Sequence, residues 1–205
     1  LVGWGGSDHS PGLLTEQEVE NSLRLTDLVA REARAALKAR KFVLEPDLIL
    51  RMHFTAMTKV IETAGSIRKV DRPKPIFGSK HQPPAYKEVE DHLRGMCAYI
   101  NASPPTFPGD DDPELRQALD RGIHVASYAI WRLNWIHPFD DGNGRTSRAL
   151  GYLLLSIHSG MFDTASPALP DRICRERLKF YRCLEAADSR TRRRSGFASN
   201  SSRTS

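Results

Sequence analysis

Cysteine is scarce in this chain. There are three among 205 residues (Cys97, Cys174 and Cys183), and their spacing shows no pairing. An odd, scattered set argues against a disulfide framework and fits reduced thiols in a cytoplasmic setting. Long apolar runs are also missing: none approaches the roughly 18 residues of a spanning helix. The start lacks a charged region followed by an apolar one, so neither a membrane span nor a secretory signal is expected. The first residue is Leu, which leaves open whether residue 1 is the native start. There is no internal repeat, and no basic patch interleaved with aromatics. The formal charge is +5, and its excess gathers at Arg190, Arg192, Arg193 and Arg194 in a closing Ser/Arg/Thr-rich segment. Without aromatics among them these read as a solvated tail, and nucleic acid is not an expected partner. What remains, with 40% hydrophobic content, suits one domain that buries its core without disulfides or metal.

The punctuation along the chain predicts helices. Residues 1–12 are rich in Gly, Ser and Pro and read as a loose arm. Thr15-Glu-Gln-Glu18 has the spacing of a capping box, and Val19, Leu23, Leu25, Leu28, Val29, Ala33, Ala36 and Leu37 form an apolar stripe to about Lys41. Pro46 suits a first helical position, and residues 48–64 predict a helix ended by Gly65. Residues 66–84 are the least helical; Ile67–Val70 and Ile76-Phe77, separated by Pro73 and Pro75, predict a short edge hairpin. Pro83-Pro84 opens a helix carrying Val89, Leu93, Met96, Cys97 and Ile100. Asp112-Pro113 starts another that runs to about Trp135 and is apolar over more than one face. A buried helix from Arg145 to about Ser159 stops at Gly160, and Pro170-Asp171 starts the last helix, with Ile173, Leu178, Tyr181, Leu184 and Ala187. The expectation is an all-α domain with one small β-hairpin. On the same spacing argument His53, Trp131 and Trp135 read as core residues, and His124 and His158 carry no motif.

Between the two central helices stands His137-Pro-Phe-Asp-Asp-Gly-Asn-Gly-Arg145-Thr-Ser-Arg148. His137 closes a buried helix, where a neutral imidazole near pH 7 is able to accept a proton from a hydroxyl. Gly142 and Gly144 let backbone N–H groups approach an anion at a helix N-terminus. Asp140 or Asp141 offers one carboxylate to a hard cation that phosphate oxygens also hold. Arg145 and Arg148 lie one turn apart and are able to face the same phosphates. Together these spell phosphoryl or nucleotidyl transfer. Two alternatives stand beside that reading: a structural turn, since Asp-Gly-Asn-Gly is a common one, and a transition-metal site, which the single nitrogen ligand and two arginines disfavour.

The same residues resemble the signature of the Fic (filamentation induced by cAMP) family, His-Pro-Phe-x-Asp-Gly-Asn-Gly-Arg-x-x-Arg, at every fixed position. His53, Gly65-x-x-Arg68, His81-Gln-Pro83-Pro84 and Phe180-Tyr181-x-x-Leu184-x-x-Ala187-Asp188 resemble family landmarks in the family's order. The resemblance implies a Fic domain over residues 13–188, with 13–41 its N-terminal helix and 189–205 a basic tail. It implies a protein adenylyltransferase that uses ATP with Mg2+. His137 would deprotonate a Ser, Thr or Tyr hydroxyl of a target protein, which then attacks the α-phosphate. Asp141 would hold Mg2+; Gly142, Asn143 and Gly144 would form the anion hole; Arg145 and Arg148 would hold the β- and γ-phosphates. The hairpin from about Arg68 to Lys80 would be a flap that clamps the target backbone, with Phe77, Gly78, Ser79 and Lys80 bordering the nucleotide. Phe180, Tyr181 and Asp188 would stand near adenosine. Asp188 departs from the family's Asn and loses a side-chain donor.

Many Fic proteins also carry an inhibitory helix with the pattern Ser/Thr-x-x-x-Glu-Gly/Asn. Glu20-Asn21 fits its end, while Glu16 stands where Ser or Thr is expected. The resemblance therefore implies that Glu20 contacts Arg148 and restrains the enzyme; the alternative is a solvated residue on the outer face of an amphipathic helix. Removal of AMP, transfer of another phosphate-bearing group, and a non-catalytic toxin-like interaction module are the alternatives on this fold. The target protein and the oligomeric state, a homodimer included, stay open.

Overall fold

The computed structural model describes residues 15–71, 81–107, 114–160, 173 and 175–200. The N-terminal arm, Phe77 to Lys80 of the expected flap, and the expected helix starts at Asp112-Pro113 and Pro170-Asp171 lie outside the described residues. Among the described residues the fold is all-helical: α1 (Glu16–Ala39), α2 (Pro46–Met57), a 3-10 turn (Tyr86–Glu88), α3 (Val89–Asn101), α4 (Leu115–Ile136), α5 (Asn143–Ser159) and α6 (Arg177–Asn200). Ile67–Val70, expected as a strand, is irregular chain. No helix among the described residues is long and apolar enough to cross a membrane.

The capping box forms as its spacing predicts. Thr15 Oγ1 accepts the Glu18 N–H while Glu18 Oε2 accepts the Thr15 N–H at 3.0 Å. The inward face of α1 differs from the predicted stripe at its start. Val19 and Leu23 are exposed, and Glu18, Asn21 and Ser22 are buried in their place. These polar residues continue the line of Leu25, Leu28, Ala33 and Ala36, so one helix face changes from apolar to polar along its length.

α2 ends earlier than expected, at Met57. Asn21 Nδ2 donates to the carbonyls of Ala56 and Thr58, which takes up acceptors freed at that end. Lys59 and Gly65 then turn the chain back through positive φ. The return places Gly65 N–H on His53 Nδ1 at 2.9 Å.

α4 and α5 form the central antiparallel pair, with α1 and α2 packed on α5, α3 on α4, and α6 against α4. Their close approach is set by Gly151: a Cβ there would stand 2.5 Å from the Ile130 side chain. Leu133, Ile136, Leu150, Leu153, Leu154 and Ile157 are buried between them and their neighbours. Side chains of this size stabilise by about 1.5–3 kcal/mol each when removed from water. The short connection between these two rigid helices is the motif loop.

Candidate active site

The loop begins where α4 stops. His137 caps α4 in the left-handed region (φ 50, ψ 58), its N–H still bonded to the Leu133 carbonyl. A non-glycine residue there costs about 1–2 kcal/mol, so neighbours must hold it. The buried Arg68 does so: its Nε–H donates to the His137 carbonyl at 2.9 Å and its backbone N–H to the Pro138 carbonyl at 2.9 Å.

Phe139 follows, fully buried and stacked flat on the His53 ring at 3.7 Å. His53 Nε2 lies 3.0 Å from the Asp141 carbonyl. A carbonyl only accepts, so Nε2 carries the proton, and Nδ1 is free to accept from Gly65. Both nitrogens are satisfied by a neutral ring. Burial, with Arg145 adding to it, lowers the His53 pKa to about 4 although Asp141 opposes the shift. The core role expected for His53 is therefore correct, and it extends to fixing the loop backbone.

Asn143 staples the loop from its other end. Its Oδ1 accepts the Phe139 N–H and its Nδ2 donates to the Phe139 carbonyl, at 3.0 and 2.9 Å. Its side chain is thus committed to the loop, while its backbone opens α5. Gly142 (φ 78) precedes it as N-cap, and no side chain caps this helix end. The first N–H groups of α5 have no intrahelical acceptor, and they point from Asn143, Gly144 and Arg145 with the positive end of the helix dipole. A Cβ at residue 142 would stand 2.6 Å from Met57 and 3.2 Å from His53 Nε2, so glycine is required by space as well as by φ. Asn134 Nδ2 and Ser147 Oγ, 2.8 Å apart, tie α4 to the first turns of α5; nothing in their sequence pattern signalled that contact.

The two aspartates divide. Asp140 is exposed and accepts from Thr63 Oγ1 at 3.0 Å, whereas Asp141 is half-buried, next to the α5 N-terminus. Arg145 is buried and Arg148 half-buried one turn on. Among the described residues no group of three or more His, Cys, Asp and Glu is placed to hold a metal ion. A single carboxylate beside an anion site instead fits a hard cation that arrives with phosphate oxygens.

The glutamate that reaches the loop is not the expected one. Glu20 is half-exposed, accepts from Gln17 and pairs with Arg24 at 2.6 Å on the outer face of α1. Its expected contact with Arg148 is not made, because residue 20 lies off the inward line of positions 18, 21, 22 and 25. Glu18, on that line, places Oε1 3.1 Å from Arg145 Nη2, with both side chains nearly buried. Burial works to raise the Glu18 pKa, but the Thr15 N–H and hydroxyl and the Arg145 charge outweigh it and hold the carboxyl below 4.5.

The remaining expected residues sit on α6. Phe180 lines an apolar cavity of about 340 Å³ with Trp131, Leu155, Cys183 and Leu184, and the Tyr181 ring stands 6.0 Å from it. Asp188 accepts the Trp131 indole N–H at 2.8 Å and lies 4.0 Å from His81 Nδ1. The carboxylate accepts across the α6–α4 contact and so ties the two helices; an Asn oxygen would accept equally well, so this bond does not explain the departure from Asn.

Residues 43–155 match the model of the Fic/DOC family. A curated relative, protein adenylyltransferase Fic of Nematostella vectensis, is 32% identical over 75 residues, covering 37% of this chain and 15% of its own. Protein adenylyltransferase fic-1 of Caenorhabditis briggsae is 29% identical over 143 residues, covering 69% of this chain and 24% of its own. The solved Fic-1 chain (residues 134–508) of C. elegans superposes with a TM-score of 0.57 and 26% identity, over 87% of this chain and 46% of that one. The chain thus spans a quarter or less of these two curated relatives and under half of that solved chain.

Proposed function

This chain belongs to the Fic/DOC family, and from that premise we infer that it is a protein adenylyltransferase that moves AMP from ATP to a hydroxyl side chain of another protein. The observation that carries the reading is the juxtaposition, within one loop, of His137 at the end of α4 and the uncapped N-terminus of α5 with Arg145 on it. In this mechanism the triphosphate lies across the first N–H groups of α5, its outer phosphates held by Arg145 and Arg148. His137 takes the proton of the target hydroxyl. The freed oxygen bonds to the α-phosphorus, the bond from that phosphorus to the bridging oxygen breaks, and pyrophosphate leaves. Asp141 would hold Mg2+, which neutralises phosphate charge when bound. The rate gain comes from positioning and preorganised dipoles, which suits a loop locked by Arg68, His53 and Asn143.

The nucleotide end of this reading also implies restraint. Glu18 occupies the guanidinium that a phosphate would use. The helix expected to carry a brake therefore carries it at Glu18, two residues before the position that the family pattern indicates, and on Arg145 in place of Arg148. Target docking on the segment between Arg68 and Lys80 remains part of the proposal.

Incubation with a cell lysate and ATP labelled at either the α- or the γ-phosphate tests the function. Protein labelling from α alone is the expected result. Labelling from γ alone would replace it with phosphorylation, and none from either, even with Glu18→Gln, would leave a binding role.

A further inference from the structure

Arg68 is 2% exposed and forms no part of the motif, yet its side chain joins three separate stretches of backbone around His137. Its guanidinium fans to three backbone carbonyls. Nε–H donates to His137 at 2.9 Å, Nη1 to Val70 at 3.0 Å and Nη2 to Pro84 at 2.6 Å. Asp71 Oδ1 lies 3.9 Å from Nη1 and accepts the Tyr86 N–H at 2.7 Å, which closes the same junction from outside. One planar cation thus fastens residues 70 and 84 to the carbonyl of a histidine whose backbone is held in the left-handed region. That conformation is unfavourable for a residue with a Cβ. The carbonyl orientation fixes the ψ of His137, and with it the relation of the imidazole to the α5 N-terminus.

We propose that Arg68 is a positioning residue for His137: it sets the orientation of the catalytic imidazole through the backbone. This rests on the functional reading above only for the reaction that His137 serves. A lysine is a poor replacement, because a point charge on a flexible stem cannot present three donors in a fixed plane. Nucleotide binding uses other groups, Arg145, Arg148 and the α5 N–H groups, so the effect falls on turnover.

The test has two independent readouts on the full chain. In Arg68→Lys, kcat for AMP transfer falls about 10- to 100-fold while KM for ATP stays within about twofold. The ring resonances of His137 in histidine-labelled NMR spectra, and the pH midpoint of their titration, move from their wild-type values. For a variant that does not fold, Arg68→Ala with millimolar guanidinium takes its place: guanidinium added below denaturing concentration returns the His137 signals toward wild type. The proposal is overturned by wild-type kcat in a folded variant, or by His137 resonances and titration that are unchanged. If the wild-type protein and Glu18→Gln transfer no AMP at all, the enzymatic reading fails, and the NMR comparison still decides the role of Arg68.

Discussion

Replacing Glu18 with Gln separates two tasks that one carboxylate performs. Oε2 accepts from Thr15 and completes the capping box, while Oε1 faces Arg145 at 3.1 Å. Glutamine keeps a carbonyl for the cap, a position at which Glu and Gln both serve, and it removes the charge opposite Arg145. A nearly buried ion pair of this length contributes about 1.5–3 kcal/mol of coupling once desolvation is set against attraction. On the proposed function, phosphate must displace that interaction to use Arg145, but α1 need not unfold, because the cap oxygen is a different atom. The variant should therefore bind ATP about 10- to 150-fold more tightly, at 1.36 kcal/mol per factor of ten. It should also lose about 1–3 kcal/mol of stability from the less well balanced Arg145. Titration calorimetry with ATP and urea unfolding measure the two effects. The Glu18 carboxyl is held below 4.5 in the fold, so the pair's stabilisation is complete above that value and is lost only as pH falls through the lower, folded one; the affinity gain should be constant above about pH 5.5. An ATP affinity for Glu18→Gln within twofold of wild type would refute the argument. So would an equal gain from Glu20→Gln, since Glu20 pairs with Arg24 on the outside.

His53 and His158 are both buried neutral with pKa values lowered to about 4; the unfolded chain binds their protons near 6.5, so stability should fall by up to about 3 kcal/mol for each as pH drops from 6.5 to 4. Urea unfolding at pH 7 and pH 5 measures this, and a flat profile, or an undiminished slope in His158→Asn, contradicts it. Gly151→Ala should destabilise by about 1–3 kcal/mol through overpacking against Ile130, read as a lowered urea midpoint; an unchanged midpoint would mean that α4 and α5 yield there freely. Asn143→Ala removes both bonds to the Phe139 backbone and should lower AMP transfer more than ATP binding; equal loss of both would show that the side chain serves the nucleotide directly.

The helices were legible where hydrophobic period, proline and glycine agree. Thr15 with Glu18, Pro46, and Gly160 after Ser159 each mark an end that the fold keeps. The family was legible because the residues that carry its signature are consecutive. Two of the errors, on α1 and α2, fall where a helix meets polar groups instead of the apolar core. On α1 an apolar stripe is a sound guide only while the helix packs on side chains. Where it meets the loop, Glu18, Asn21 and Ser22 turn inward and Val19 and Leu23 turn out, so a search for apolar residues reads that turn as facing the other way. Glu20 was indicated by the family's Glu-Asn pair, and a pattern of residue types does not say which face of the helix turns to the loop. Extending the line of Leu28 and Leu25 back to Asn21 and Glu18, regardless of polarity, selects the carboxylate that meets Arg145. On α2 the early stop at Met57 was hidden because the acceptor-satisfying group is Asn21, some 35 residues earlier in sequence. Arg68 stood out only as part of the Gly65-x-x-Arg68 landmark; its role was hidden, since its partners are carbonyls, and a backbone acceptor leaves no trace in the identity of the residue that provides it.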